Sequence, residues 1–102
     1  MSEEIPEKTV VLIIDDSPTN LRILLKYLKT SGFDVIVAES GEKGLSELEK
    51  SPPDIILMDV MMPGIDGFET CKRLKEREEC KDIPVIFMTS LSEVSDKIKG
   101  FG

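Results

Sequence analysis

The sequence predicts an α/β fold built on a doubly wound parallel sheet. Two features of the chain indicate this. Short apolar runs of four or five residues recur along the sequence, and each run is followed by a segment whose apolar residues have helical spacing. Unbroken apolar runs are typical of strands buried on both faces of a parallel sheet. Because strands and helices alternate, the crossovers should be right-handed, with helices on both faces and a strand order of 2-1-3-4.

The apolar runs predict four strands, at residues 10–14, 35–38, 55–58 and 85–88. Helices are predicted between them. Ser17 supplies an N-cap and Pro18 a first helical residue for the first helix, which Gly32 closes. The second helix is expected to open at Ser40 and to end before the proline pair at residues 52–53.

The third helix is predicted from about Gly67, and Ser92 is a candidate cap for a last helix. On the third helix, Phe68, Cys71 and Leu74 form the predicted apolar face. Its basic residues are expected to point outward into solvent: Lys72, Arg73 and Lys75.

Length and composition limit the classes of function. The 102 residues suit one domain, with residues 1–8 as a polar lead and residues 9–102 as the domain. A net charge of −7 argues against a nucleic-acid surface, which would need a basic patch. The chain contains no histidine, which excludes Ser-His and Cys-His catalysis and histidine-ligated zinc within it. Cys71 and Cys80 lack metal-site spacing and are expected to be reduced thiols.

The chain also lacks the usual signs of membrane insertion or export. No apolar run approaches the roughly 20 residues of a membrane span. The N-terminus is acidic, unlike a signal peptide. We therefore expect a cytoplasmic protein with no membrane partner.

Polar residues follow three of the predicted strands. Asp15 and Asp16 follow the first strand, Asp59 ends the third and Thr89 follows the fourth. The first and third strands are neighbours in the 2-1-3-4 order, so the three carboxylates should share one crevice at the carboxyl edge of the sheet. Like charges so placed repel, which favours a bound proton or cation. Oxygen ligands of this kind suit Mg²⁺.

This arrangement predicts phosphoryl chemistry. With Mg²⁺ present, Asp59 can act as a nucleophile toward a phosphoryl group. The Thr89 hydroxyl can donate to a phosphate oxygen, and the small Ser90 leaves access open. A structural interpretation of these aspartates is also possible: an Asp at a strand end is often only the N-cap of the next helix. A hydrolase with an Asp nucleophile is a further alternative, although such enzymes usually carry a second acid two residues later, where this chain has Met61.

Three segments resemble the receiver domain of two-component response regulators. They are LIIDDSPTN at residues 12–20, MDVMMPGIDG at residues 58–67 and PVIFMTS at residues 84–90. The resemblance runs from about Val10 to the last residue. It implies a flavodoxin-like fold and a signalling switch that transfers a phosphoryl group onto itself and loses it slowly, without being a turnover enzyme.

The resemblance also implies roles for individual residues. Asp59 corresponds to the phosphoacceptor, which receives its phosphoryl group from a sensor histidine kinase or a histidine phosphotransfer protein. Asp16 and Asp59 correspond to direct Mg²⁺ ligands, Asp15 to a group that acts mostly through water, and the Met61 backbone carbonyl to a further ligand. Thr89, with Ser90 beside it, corresponds to the switch hydroxyl. Pro63 and Gly67 match the turn into the third helix.

The chain departs from the family pattern after the fourth strand. A receiver domain has five strands and five helices, and the fifth strand and fifth helix are expected to be missing here. The family's lysine has no counterpart, because Lys97 and Lys99 follow Thr89 too closely. The fourth strand should then be an open edge, available for pairing or swapping with a second copy. Because of this departure, an alternative function remains: a protein-docking module on a receiver fold that works without phosphorylation.

Overall fold

The structure, a computed structural model, describes residues 9–88, and over this range it contains one four-stranded parallel sheet. Its strand order is β2-β1-β3-β4. The strands are β1 (Val10–Ile14), β2 (Asp34–Ala38), β3 (Ile55–Asp59) and β4 (Val85–Met88). The predicted fold class, strand order and strand positions are confirmed.

Three helices connect the strands, and each begins at a capped residue. They are α1 (Pro18–Thr30), α2 (Gly41–Lys50) and α3 (Gly67–Lys75). The hydroxyl of Ser17 accepts from the Asn20 N–H at 3.3 Å, and the hydroxyl of Ser40 accepts from the Lys43 N–H at 3.1 Å. The Asp66 carboxylate caps α3 by accepting from the Glu69 N–H at 2.8 Å. These bonds satisfy N–H groups that have no partner inside a helix, which fixes where each helix begins.

The core lies on both faces of the sheet, as alternate strand residues point to opposite sides. On the α1 face, Val11 and Ile13 of β1 pack with Leu21. The other face is larger, and buried residues of β1, β3, α2 and α3 meet there: Leu12, Ile14, Leu45, Leu48, Ile56, Met58 and Leu74. The central strands β1 and β3 are therefore held from both sides, which makes their carboxyl ends a rigid platform.

The apolar run of β4 by itself predicts a strand buried on both faces, but the strand is partly exposed, in keeping with the open edge expected there. Ile86 is 50% exposed and Phe87 is 39% exposed, because β4 is an edge strand within the described range. Phe68 was expected on the buried face of α3, but it is 60% exposed and its ring contacts that of Phe87 at a centroid distance of 5.0 Å. Cys71 and Leu74, by contrast, pack against the core as predicted.

Lys75 also departs from its prediction. It was expected to point into solvent, yet its ammonium group donates to the backbone carbonyls of Lys81, at 3.0 Å, and of Ile83. The last turn of α3 is thereby joined to the loop that leads into β4.

Both cysteines are free, Cys71 half-buried and Cys80 fully buried. Burial raises the pKa of the Cys80 thiol, and the nearby Glu79 carboxylate adds to the rise. The thiol is therefore protonated, and a poor nucleophile, at neutral pH.

Several predictions fall on residues outside the described range. They concern the polar lead at residues 1–8, Thr89, Ser90, and the helix after Ser92. Across residues 9–88, the helices are too short or too polar to cross a bilayer.

Candidate functional site

Three carboxylates meet at the carboxyl edge of the sheet. Asp15 and Asp16 directly follow β1, and Asp59 is the last residue of β3, the strand next to it. Each contributes a carboxylate oxygen, and these oxygens all lie within 4.8 Å of one another. The structure thus brings together the three acidic residues that the sequence placed in one crevice.

The three side chains differ in burial. Asp15 is 2% exposed and Asp59 is 3% exposed, whereas Asp16 is open to solvent. Two buried carboxylates so close together are costly as ions unless hydrogen bonds or a cation compensate for their charge. The cluster therefore combines buried negative charge with a solvent-facing side.

Asp15 is held by hydrogen bonds to both of its carboxylate oxygens. The Ser17 N–H donates to Oδ1 at 2.9 Å, and the Asn20 side-chain amide donates to Oδ2 at 3.3 Å. Its own N–H donates to the carbonyl of Ala38 on β2 at 3.0 Å. Both donors to this carboxylate, one a backbone N–H and one a side-chain amide, come from the start of α1, so that helix fixes the orientation of Asp15.

The contact from Asn20 was not predicted from the sequence. One signal for it exists: Asn20 lies three residues after the N-cap Ser17, a position from which a side chain can reach back over the start of the helix. That spacing favours a contact near the cap. It does not say that the acceptor is a carboxylate of the site.

Asp59 is positioned by the loop that follows it. The Met61 N–H donates to Asp59 Oδ1 at 3.3 Å, while the Met61 side chain is 64% exposed at the edge of the site. Gly67 begins α3 directly against the end of β3, and its N–H donates to the Val60 carbonyl at 2.9 Å. A Cβ on Gly67 would lie 2.5 Å from the Asp59 backbone oxygen, so this close approach requires glycine.

The turn between Asp59 and α3 contains the other predicted residues. Pro63 is exposed, and Gly64 has a φ of 78°, a left-handed conformation that favours glycine. The predicted turn into the third helix is therefore present. The predicted switch residues Thr89 and Ser90 lie outside the described range.

The donor set fits a hard divalent cation. All three candidate ligands are carboxylates, and the solvent-facing side of the cluster leaves room for water. Mg²⁺ typically binds through one or two carboxylates and keeps several of its waters. A cation here would offset charge that the protein concentrates in a small volume.

Comparison with known proteins agrees with this geometry. The family model of the response regulator receiver domain matches residues 11–102. The chain is 42% identical over 91 residues to the DNA-binding dual master transcriptional regulator RpaA of Synechocystis sp., covering 89% of this chain and 38% of RpaA. It is 39% identical over 90 residues to protein PilH of Pseudomonas aeruginosa, covering 88% of this chain and 74% of PilH.

A solved structure shows the same architecture. The chemotaxis response regulator CheY4 of Vibrio cholerae superposes with a TM-score of 0.80 at 29% identity, covering 92% of this chain and 78% of that one. The family match, the sheet order and the likeness to this structure are consistent with one another. The chain belongs to the response regulator receiver domain family, whose members act as signalling switches.

Proposed function

We propose that the chain is a phosphoryl-accepting signalling domain with Asp59 as the acceptor. The donor is a phosphohistidine on a sensor histidine kinase or a histidine phosphotransfer protein. Mg²⁺ is the cofactor, with Asp16, Asp59 and the Met61 backbone carbonyl as direct ligands and Asp15 acting mostly through water. The observation that carries the proposal is the cluster of three carboxylates around Asp59 in a member of this family.

The transfer itself needs little from the protein beyond positioning. A carboxylate oxygen of Asp59 attacks phosphorus and forms a C–O–P linkage while the P–N bond breaks. The bonding electron pair stays on the ring nitrogen of the donor histidine, which takes a proton from water and leaves as neutral imidazole. Mg²⁺, when bound, offsets the negative charge of the phosphoryl oxygens. The end of β3 and the Met61 N–H hold the acceptor in place. A site already in the reactive arrangement lowers the barrier because less ordering is needed during the reaction.

The choice of Asp59 over Asp15 has structural support. Both carboxylate oxygens of Asp15 accept hydrogen bonds from the start of α1, which ties that carboxylate to the helix start. Asp16 is exposed, so water would compete with any acyl phosphate formed there. Asp59 is buried, unlike Asp16, and it lies beside the other two carboxylates at the start of the loop to α3.

The remaining assignments complete the proposal. Thr89 is the switch hydroxyl that donates to the phosphate, with the small Ser90 beside it, and Pro63 and Gly67 shape the loop at the site. The receiver domain spans residues 9–102, after a polar lead at residues 1–8. Its place of action is the cytoplasm, and its autodephosphorylation is slow.

A second copy of the chain is a further proposed partner. β4 is an edge strand within the described range, and the half-exposed Ile86 lies on it. An open edge offers unpaired backbone groups to another strand. Pairing or swapping through β4 would cover this apolar surface.

The experiment that tests phosphorylation uses acetyl phosphate, Mg²⁺ and intact-mass measurement. The wild type should gain one phosphate, and Asp59→Asn should gain none. Asp66→Asn is the matched control, because Asp66 is an exposed helix cap outside the cluster and asparagine also caps helices. No adduct on the wild type, with or without Mg²⁺, would contradict the proposal and favour docking without phosphorylation.

A further inference from the structure

We infer that Asn20 is a positioning residue for the divalent-cation site, acting through Asp15. Its side-chain amide donates to Asp15 Oδ2 at 3.3 Å, and Asp15 is one of the three clustered carboxylates. The inference rests on the proposed function and extends it, because it names a residue outside the acidic set that controls how tightly the set binds Mg²⁺.

Asn20 is itself firmly placed. It lies in the first turn of α1, where its backbone N–H donates to the hydroxyl of Ser17 at 3.3 Å. The Ser17 N–H in turn donates to the other oxygen of Asp15 at 2.9 Å. Asp15, Ser17 and Asn20 therefore form one hydrogen-bonded unit, and the carboxylate is held from both sides. A carboxylate fixed in this way loses little freedom when a cation binds nearby.

The chemistry of the donor also matters. Asp15 is buried and shares its site with two other carboxylates, so hydrogen-bond donors are needed to offset the cost of burying its polar oxygens. A lysine or arginine in this position would supply a full positive charge and compete with the cation. A neutral amide supplies the hydrogen bond alone, so the site keeps its negative charge and its attraction for Mg²⁺.

Partners that orient metal-binding groups contribute strongly to metal affinity in other proteins; their removal typically costs about 10- to 100-fold. Asn20 is half-buried, and Asp15 keeps its second donor when Asn20 is replaced. We therefore expect the loss of Mg²⁺ affinity to lie at the lower end of this range, at about tenfold.

The test is calorimetric titration of the full chain with Mg²⁺ alone. Asn20→Leu removes the donor while keeping the size of the side chain, and Asn20→Ala is the second variant in case the leucine perturbs folding. Ser40→Ala is the matched control. It removes the hydroxyl that caps α2 by accepting from the Lys43 N–H, and it leaves Asp15 and the two donors to its carboxylate unaltered. Melting temperatures of all four proteins in EDTA report stability without the cation.

The expected result is a dissociation constant for Mg²⁺ about tenfold higher in both Asn20 variants. Ser40→Ala should lower the melting temperature yet keep its Mg²⁺ affinity close to wild type. At saturating Mg²⁺, the Asn20 variants should recover wild-type labelling by acetyl phosphate, since Asp59 is unaltered.

Two results would overturn the inference. One is wild-type Mg²⁺ affinity in both Asn20 variants. The other is a Mg²⁺ affinity that falls together with the melting temperature, and equally in Asn20→Leu and Ser40→Ala, which would make the effect one of protein stability. A wild type that binds no Mg²⁺ would instead contradict the metal role in the proposed function, and the inference would fall with it.

Discussion

Met61 lies where a phosphorylated Asp59 would meet solvent. Its N–H donates to Asp59 Oδ1, and its apolar side chain is 64% exposed. Of the three methionines near Asp59, Met58 and Met62 are buried, but Met61 is not. An exposed methionine in this position suggests that it limits the access of water to the acyl phosphate.

We predict that Met61→Asn shortens the life of the acyl phosphate several-fold. An amide at this position can hydrogen-bond to an attacking water and orient it, which the thioether does poorly. The measurement is the decay of the phosphate adduct by intact mass after acetyl phosphate is removed. Met61→Leu is the control and should decay like wild type. Equal half-lives in wild type and Met61→Asn would exclude a shielding role.

Among individual residues, the sequence was most informative about where the acidic side chains of the site lie. Asp15, Asp16 and Asp59 could be predicted as a set because each directly follows an apolar run, and parallel strands end at one edge. The role of Asn20 could not be predicted, because it depends on the side-chain conformation at the start of α1. No pattern of residue types specifies that conformation.

At the scale of elements, local signals were sufficient for the starts of helices and the positions of strands. The caps Ser17 and Ser40 and the runs of β1 and β3 carry their own signals of hydrogen bonding and burial. Exposure in β4 was not predictable from its apolar run, since burial of a strand depends on what lies beside it. Lys75 was misjudged for a similar reason, because its acceptors lie in a loop rather than on its own helix.

The ammonium group of Lys75 should stabilise the connection between α3 and β4. Lys75→Met keeps most of the aliphatic chain but removes both hydrogen bonds to the carbonyls of Lys81 and Ile83. We expect a loss of about 1–3 kcal/mol in the free energy of unfolding, measured by urea denaturation. Arg73→Met is the control. Arg73 forms an exposed ion pair with Glu69 in the same helix, and the loss of that pair should cost less than about 0.5 kcal/mol. Equal losses in the free energy of unfolding for the two variants would show that the hydrogen bonds from Lys75 to the loop stabilise the protein no more than an exposed ion pair does.

At the scale of the whole molecule, the faces of the described sheet are unequally covered. On the α1 side, Ile55, Leu57 and Met88 are only half-buried and Ile86 is half-exposed. Apolar surface of this kind on an edge strand favours association. We therefore expect the thermal stability of the protein to depend on its concentration.

We predict that the chain self-associates through this surface. Light scattering coupled to size-exclusion chromatography should show a mass that rises with concentration, and the melting temperature should rise with it. Ile86→Lys places a charge on the exposed side of β4 and should give a monomer at every concentration. Exposed Lys72→Glu on α3 is the control and should associate like wild type. A wild type that stays monomeric and melts sharply at all concentrations would contradict this.

The central claim is that Asp59 carries the phosphoryl group, and borohydride reduction tests it most directly. An acyl phosphate on aspartate is reduced by borohydride to the alcohol, which leaves homoserine in its place. After treatment with acetyl phosphate and Mg²⁺, then borohydride, peptide mapping should find homoserine at position 59 and aspartate at positions 15 and 16. Homoserine at either of those two positions, or at none while the protein carries a phosphate, would contradict the account.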